Sequence, residues 1–150
     1  MTGVLALDAS TPFFCPETRL NLTAILGETC YLMSVEISTV LHADHIEIDA
    51  SADYSLESLY KFIDHIKAES ERTQVRRVLV DSSKLRGSMT EADRFLGGQR
   101  LADVLGHKIK TAIVMPEGQV TKLGEITAVN RGARVFITEN RAEAVSWLLS

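Results

Sequence analysis

From Val35 onward the chain switches between two hydrophobic periods. Val35, Ile37, Thr39 and Leu41 alternate with Glu36, Ser38 and Val40, and His45-Ile-Glu-Ile-Asp49 alternates again beyond the short polar connection Ala43-Asp44. Period two with a polar turn between the runs predicts an antiparallel hairpin with one buried face. The period then lengthens. Leu56, Leu59, Ile63 and Ile66 recur at three- and four-residue steps, while Glu57, Lys61, Asp64 and Lys67 take the opposite side. Ser55 stands where an N-cap belongs, so this is a helix, fading in the polar run 69–74.

Arg76 to Asp81 is a short continuous apolar strand, the pattern expected when helices cover both faces of a sheet. A loop from Asp81 to Ser88 follows. Thr90 with Asp93 resembles a capping box and opens a second helix through Phe95, Leu96, Leu101, Ala102 and Leu105, ending near Gly106. Ile109 to Met115 reads as another buried strand, closed by Pro116. A third helix is predicted from about Val120 to Asn130 with Gly132 as its stop. Val135-Phe136-Ile137 is the last strand, and Asn140 with Glu143 opens a final helix holding Ala144, Trp147 and Leu148. The order β-β-α-β-α-β-α-β-α predicts an α/β domain: a mostly parallel sheet with right-handed crossovers, an N-terminal antiparallel hairpin and four helices.

Residues 1–32 do not share this patterning. They hold two of the three prolines and both cysteines, Cys15 and Cys30, with no sustained period. The expected division is an irregular lead over 1–32 and one domain over 33–150. Met33 directly precedes the strand pattern, so an over-extended start is one reading of the lead. The other is an arm packing Leu5, Leu7, Phe13 and Phe14 on the domain. Neither cysteine belongs to a CxxC pair, and a reducing cytoplasm is the simpler setting. The first basic residue is Arg19, so the start lacks the basic region of a secretory signal.

Composition adds limits. Hydrophobic residues make up 45% and charged residues 24%, the mixture of a globular chain with a core. Sixteen basic against twenty acidic residues leave a net charge of −4, which argues against nucleic acid or an anionic membrane surface as the main partner. No apolar run approaches the roughly 18–20 residues that span a bilayer. The expected location is cytoplasmic.

Candidate chemistry gathers where ligands bind in open α/β sheets, beyond the carboxyl ends of the parallel strands. Those ends carry Asp81-Ser82-Ser83, Met115-Pro116-Glu117 and Thr138-Glu139-Asn140. Hydroxyls and carboxylates there could form a shallow site, and Asp81, Ser83, Thr90 and Asn140 are equally the residues that turns and caps require. Met89 and Phe95, near the start of the second helix, could line an apolar pocket or bury against the sheet. Gly97-Gly98 inside that helix costs about 1 kcal/mol per glycine relative to alanine, which points to close approach by a backbone or ligand, a kink or a subunit contact. Arg131 could reach an anion or cap its own helix end, and Trp147 reads as core. His42-Ala-Asp44-His45 is read as a polar turn, not a metal cluster, and His65 and His107 as solvent-facing or helix-end residues. No Gly-x-Ser-x-Gly elbow surrounds Ser82 or Ser83, so a serine hydrolase is not expected. No cofactor and no metal are expected.

The ordered set Arg77-Val-Leu-Val-Asp81, Gly87, Asp93-Arg94-Phe95, Ala112, Val114, Asn130-Arg131-Gly132, Val135-Phe136 and Ala144 to Trp147-Leu148 resembles the STAS/SpoIIAA-like family. More narrowly it looks like the small stand-alone bacterial members, often grouped with CRAL-TRIO lipid-binding folds. The resemblance covers about Val35 to Leu149 and implies a SpoIIAA-like βα superhelix. Members of the anti-sigma-antagonist type are regulated by phosphorylation of a serine in an Asp-Ser-Ser-Gly motif opening the second helix. This chain departs there, with Asp81-Ser82-Ser83-Lys84 at the strand end and Ser88-Met89-Thr90 where the acceptor belongs.

The reading that follows is a non-catalytic regulatory or binding module for a small, apolar or lipid-like ligand or a partner protein. Its site would be drawn from Asp81, Ser82, Ser83, Ser88, Met89, Thr90, Phe95, Met115 and Glu117. One alternative is a phospho-switch at Ser88 or Thr90, where phosphate would meet a helix N-terminus. Another is an enzyme using a carboxylate–hydroxyl site with Asp81 and Glu117. A homodimer contact, if one forms, would use the hairpin edge or the Gly97-Gly98 helix.

Overall fold

The computed structural model describes residues 28–32 and 35–150. Its elements are β1 (Glu28–Leu32), β2 (Val35–Leu41), β3 (Ile46–Ala52), α1 (Leu56–Thr73), β4 (Arg77–Asp81), α2 (Glu91–Leu105), β5 (Lys110–Val114), α3 (Leu123–Asn130), β6 (Arg134–Thr138) and α4 (Arg141–Leu149). The six strands form one sheet in sequential order. β1–β2 and β2–β3 are antiparallel, and β3–β4, β4–β5 and β5–β6 are parallel.

The pattern-derived hairpin and helices are present, with instructive differences. Five residues of the segment read as irregular form β1, which covers the outer edge of β2 and so replaces the exposed hairpin edge. That strand is too short for its alternation to stand out from a lead without period. Leu5, Leu7, Phe13, Phe14, Cys15 and Met33 lie outside the described residues. α1 does not fade at residue 69: Glu69 and Ser70 are buried, Glu69 pairs with Arg72 at 2.8 Å, and the Ser70 hydroxyl donates to the Val75 carbonyl. Polar residues there satisfy one another under the helix end and do not mark its loss. α3 starts at Leu123, not Val120, because Lys122 sits in left-handed backbone (φ 66°). Its ammonium donates to Glu125 and to the Ile137 carbonyl, contacts that hold the unfavourable conformation in place.

Ser55 caps α1 in a reciprocal pair with Ser58, Thr90 accepts from the Asp93 N–H at the start of α2, and Asn140 accepts from the Ala142 and Glu143 N–H groups at the start of α4. Alternation within the strands splits the core between two sheet faces. Ile37, Ile46, Ile48, Val78, Val80 and Val135 meet Ile63, Ile66, Leu101, Leu105 and Ala128 of α1–α3. Leu79, Ala112 and Val114 point the other way, against Ala144 and Leu148 of α4. Among the described residues, one face thus carries three helices and the other a single short one.

Candidate functional site

On the three-helix face the helices do not close completely over the sheet. An apolar cavity of about 110 Å³ lies between α1, α2 and the C-terminal halves of β3–β5. Ala50 and Val80 form its floor, Leu59, Phe62 and Ile63 one wall, and Gly97, Gly98 and Leu101 the other. Its rim is built by three loops, represented by Tyr54 from β3–α1, Leu85 and Met89 from β4–α2, and Gln119 from β5–α3. This is the end of the parallel strands where α/β sheets bind ligands.

The glycines of α2 explain part of this shape. A Cβ on Gly98 would lie 2.5 Å from the Gly124 carbonyl oxygen and 2.8 Å from Thr127 Cβ, so α2 and α3 cross at a distance that excludes a side chain. A Cβ on Gly97 would meet Leu59 Cδ2 at 2.9 Å, on the cavity wall. The close approach is therefore within the chain, and both glycines are buried, which removes them as a surface for a second subunit.

Two loops of the rim are laced together. Arg94 donates from Nη1 to the Met89 carbonyl (2.7 Å) and from Nη2 to the Gln119 carbonyl (2.8 Å), while Gln119 Nε2 donates to the Gly87 carbonyl (2.8 Å). Tyr54 supplies a different kind of group. Its hydroxyl is buried and makes no well-formed hydrogen bond, although the Asp93 carboxylate lies beside it. Burial first, and then the neighbouring negative charge of Asp93, push its ionisation well above the ordinary tyrosine range, so it is a neutral donor.

The residues singled out in the sequence fall into three places. Ser82, Met89 and Met115 line the cavity. Asp81 and Ser83 belong to the opposite face: Asp81 Oδ1 accepts from the Ser83 N–H and hydroxyl, and Oδ2 accepts from Arg141 at 3.2 Å. Ser88, Phe95 and Glu117 are exposed outside the cavity, and Thr90 is occupied as the α2 cap. Phe95 neither lines the pocket nor buries against the sheet, because it points outward with the Arg131 guanidinium 5.6 Å from its ring centre. Trp147 is half-buried, stacked on Phe136 under the Lys110 ammonium. His42 and His45 do converge, stacking at 4.5 Å, with His42 bonded to Glu47 and His45 to Asp44. His65 is not solvent-facing; its Nε2 is buried without a partner, and burial lowers its pKa. Among the described residues no group of three or more His, Cys, Asp or Glu is placed to hold a metal ion, and no helix is long and apolar enough to cross a membrane.

The residues that sequence reasoning missed are Tyr54, Arg94 and Gln119. Arg94 stood in the family-like set without a role, and the others gave no local signal, since their partners lie in other loops.

Asp81 is one member of a polar cluster with Glu47, Asp49, Lys84 and Arg141 on the α4 face. Arg141, opening α4, bonds both Glu47 and Asp81. Burial raises the pKa of each of these acids, and the bonds from Arg141 and His42 to Glu47, and from Ser83 and Arg141 to Asp81, reverse that and hold both below the ordinary range. Asp49 between them is raised, by burial and then by the charges of Glu47 and Asp81.

No family model and no curated protein sequence matches the chain. Solved structures do. An anti-sigma factor antagonist from Mycobacterium paratuberculosis is similar over 78% of this chain and 96% of its own, at 14% identity and a TM-score of 0.52. An uncharacterized protein of the DUF3478 family with a SpoIIAA-like fold, from Shewanella loihica PV-4, covers 79% of this chain and 96% of its own at 19% identity and a TM-score of 0.48. With the strand order, the parallel core and the four helices described above, the chain has a STAS/SpoIIAA-like α/β fold.

Proposed function

We propose that this chain is a non-catalytic binding module that takes a small apolar molecule into the cavity between α1, α2 and the sheet. The observation that carries this reading is the cavity. A space of about 110 Å³, lined almost wholly by apolar groups and open at its rim, is the concave, mostly apolar form that small-molecule sites take. One glycine and two alanines, Gly97, Ala50 and Ala52, keep open what larger side chains would fill. An apolar cavity of about 150 Å³ is known to stay dry and to admit benzene, so a molecule of one ring or a short chain suits this one. Among the described residues, neither a histidine nor a cysteine lines it.

Toluene is the direct probe. It should raise the melting temperature of the full chain and give saturation-transfer signals in ligand-observed NMR. Ala50→Leu, which places a side chain in the cavity, should lose both effects while staying folded. Toluene without effect on the wild type, at concentrations near its solubility, would remove this reading.

A second reading, a regulatory module that binds another protein, is favoured by Phe95, Ile126 and Val129, exposed at 41%, 53% and 47% on α2 and α3. The exposed Ser88 beside the α2 cap is the residue a phospho-switch would use, and a phosphate there would face Glu91 and Asp93 in the first turn. Photo-crosslinkers at Phe95 and Ile126 in living cells should give one discrete adduct if this surface docks a protein. Uncrosslinked chain at both positions counts against it.

A further inference from the structure

We propose that the ligand's head group is a hydroxyl or an amine, held between the Tyr54 hydroxyl and the Asp93 carboxylate, and that carboxylates and phosphates are refused. This rests on the reading of the cavity as a ligand site and adds the chemistry of what enters.

The polar groups on the lining differ in how far the protein has already used them. The Ser58 hydroxyl donates to the Ser55 carbonyl and accepts from the Ser55 N–H and hydroxyl. Arg94 is spent on Glu91 and on the Met89 and Gln119 carbonyls. The Gln119 amide is bonded to Gly87, and the Lys122 ammonium to Glu125 and the Ile137 carbonyl. Both cations on the lining are therefore turned toward protein acceptors. Among the described residues of the lining, the Tyr54 hydroxyl is the buried side-chain donor left without a good bond, and the Asp93 carboxylate lies beside it. A buried hydroxyl left unmatched is a standing cost that a ligand atom can relieve.

The complement of that pair is a head that accepts from Tyr54 and donates to Asp93. An alcohol or phenol does both with one oxygen. A protonated amine donates to Asp93 in a charge-assisted bond and leans on the tyrosine oxygen. A carboxylate would satisfy Tyr54 and then stand against the Asp93 carboxylate, where like charges repel.

The experiment compares four one-ring probes on the full chain by calorimetry and ligand-observed NMR: toluene, benzyl alcohol, benzylamine and benzoate. Benzyl alcohol and benzylamine should bind about three- to tenfold more tightly than toluene, the range of one net hydrogen bond. Benzoate should not bind measurably. Tyr54→Phe, which breaks no well-formed bond, should bring benzyl alcohol down to the level of toluene. Asp93→Asn should weaken benzylamine about tenfold and admit benzoate. If toluene binds and benzoate binds as well as the alcohol, the head-group proposal is overturned and the cavity stands. It is overturned equally if Tyr54→Phe leaves the order of the probes unchanged. If no probe binds, both fall together.

Discussion

Gly97 and Gly98 stand side by side in α2 and answer to different neighbours. Each lowers helix propensity by about 1 kcal/mol against alanine, so a replacement gains that much before packing is counted. At Gly98 the new Cβ would sit 2.5 Å from a backbone oxygen of α3, which cannot turn aside. Gly98→Ala should destabilise the domain by about 2–3 kcal/mol, seen as a lower denaturant midpoint, because the helices must separate. At Gly97 the nearest atom is the far end of the Leu59 side chain, which can choose another rotamer. Gly97→Ala should fall within about 0.5 kcal/mol of the wild type. Equal losses at both positions would mean that α2 as a whole, and not the α2–α3 crossing, senses the change. The propensity cost was legible in the sequence and pointed to close approach. Which of the two glycines bears it, and against which helix, depends on a crossing between elements that no local pattern encodes.

The elements themselves were legible because their hydrophobic periods are long and their caps explicit, as at Ser55, Thr90 and Asn140. At the start of α3 a contact distant in sequence decides. Lys122 holds its left-handed backbone through the Ile137 carbonyl, while the Ile137 N–H donates to Glu125. These same two side chains occupy backbone groups on the open edge of β6, which would otherwise invite another strand. Glu125→Ala should cost about 1–2 kcal/mol through the orphaned N–H and increase self-association in sedimentation; a variant of unchanged stability would show that water replaces the carboxylate. The rim loops follow the same logic. Arg94→Met removes the bridge that ties the β4–α2 and β5–α3 loops together through α2 and leaves the Gln119–Gly87 bond, so amide exchange should quicken at Arg86 and Gln119 while β4 and β5 stay protected. Exchange rising uniformly through the sheet would instead assign Arg94 to global stability. The apolar half of the site, Met89 and Met115, could be read from position in a parallel α/β sheet. Its polar half could not, because Tyr54 and Asp93 meet only when β3 and α2 are brought together.

At the scale of the whole molecule the sheet divides labour between its faces. Among the described residues, three helices enclose the cavity on one side, while α4 alone covers β4–β6 on the other and leaves Glu47, Asp49 and Asp81 beside its first residue. The sequence reading placed Asp81 with the ligand-binding loops; strand alternation turns it away, onto the side of Leu79, where Arg141 reaches it across sixty positions of chain. That separation is why Arg141 carried no signal. Its consequence is a defined dependence of stability on pH. Glu47 and Asp81 have folded pKa values below their unfolded ones, so their contribution is complete above the ordinary carboxylate range of about 4 and is lost as pH falls through the depressed values. Asp49 has the opposite sign: its raised folded pKa makes it a cost wherever it is ionised, and that cost disappears as pH falls below about 4. Arg141→Met should therefore lower stability by about 1 kcal/mol at pH 7, a figure reduced for the solvent exposure of the cluster. The difference from the wild type should narrow between pH 5 and pH 3, as Glu47 and Asp81 protonate in both proteins. Asp49→Asn should add about 0.3 kcal/mol at pH 7 and nothing at pH 3. Urea titrations at pH 7, 5, 4 and 3 measure both. If the loss in Arg141→Met stayed constant across that series, the arginine would be acting through the packing of its aliphatic stem against the sheet, and the charge account of this face would fail.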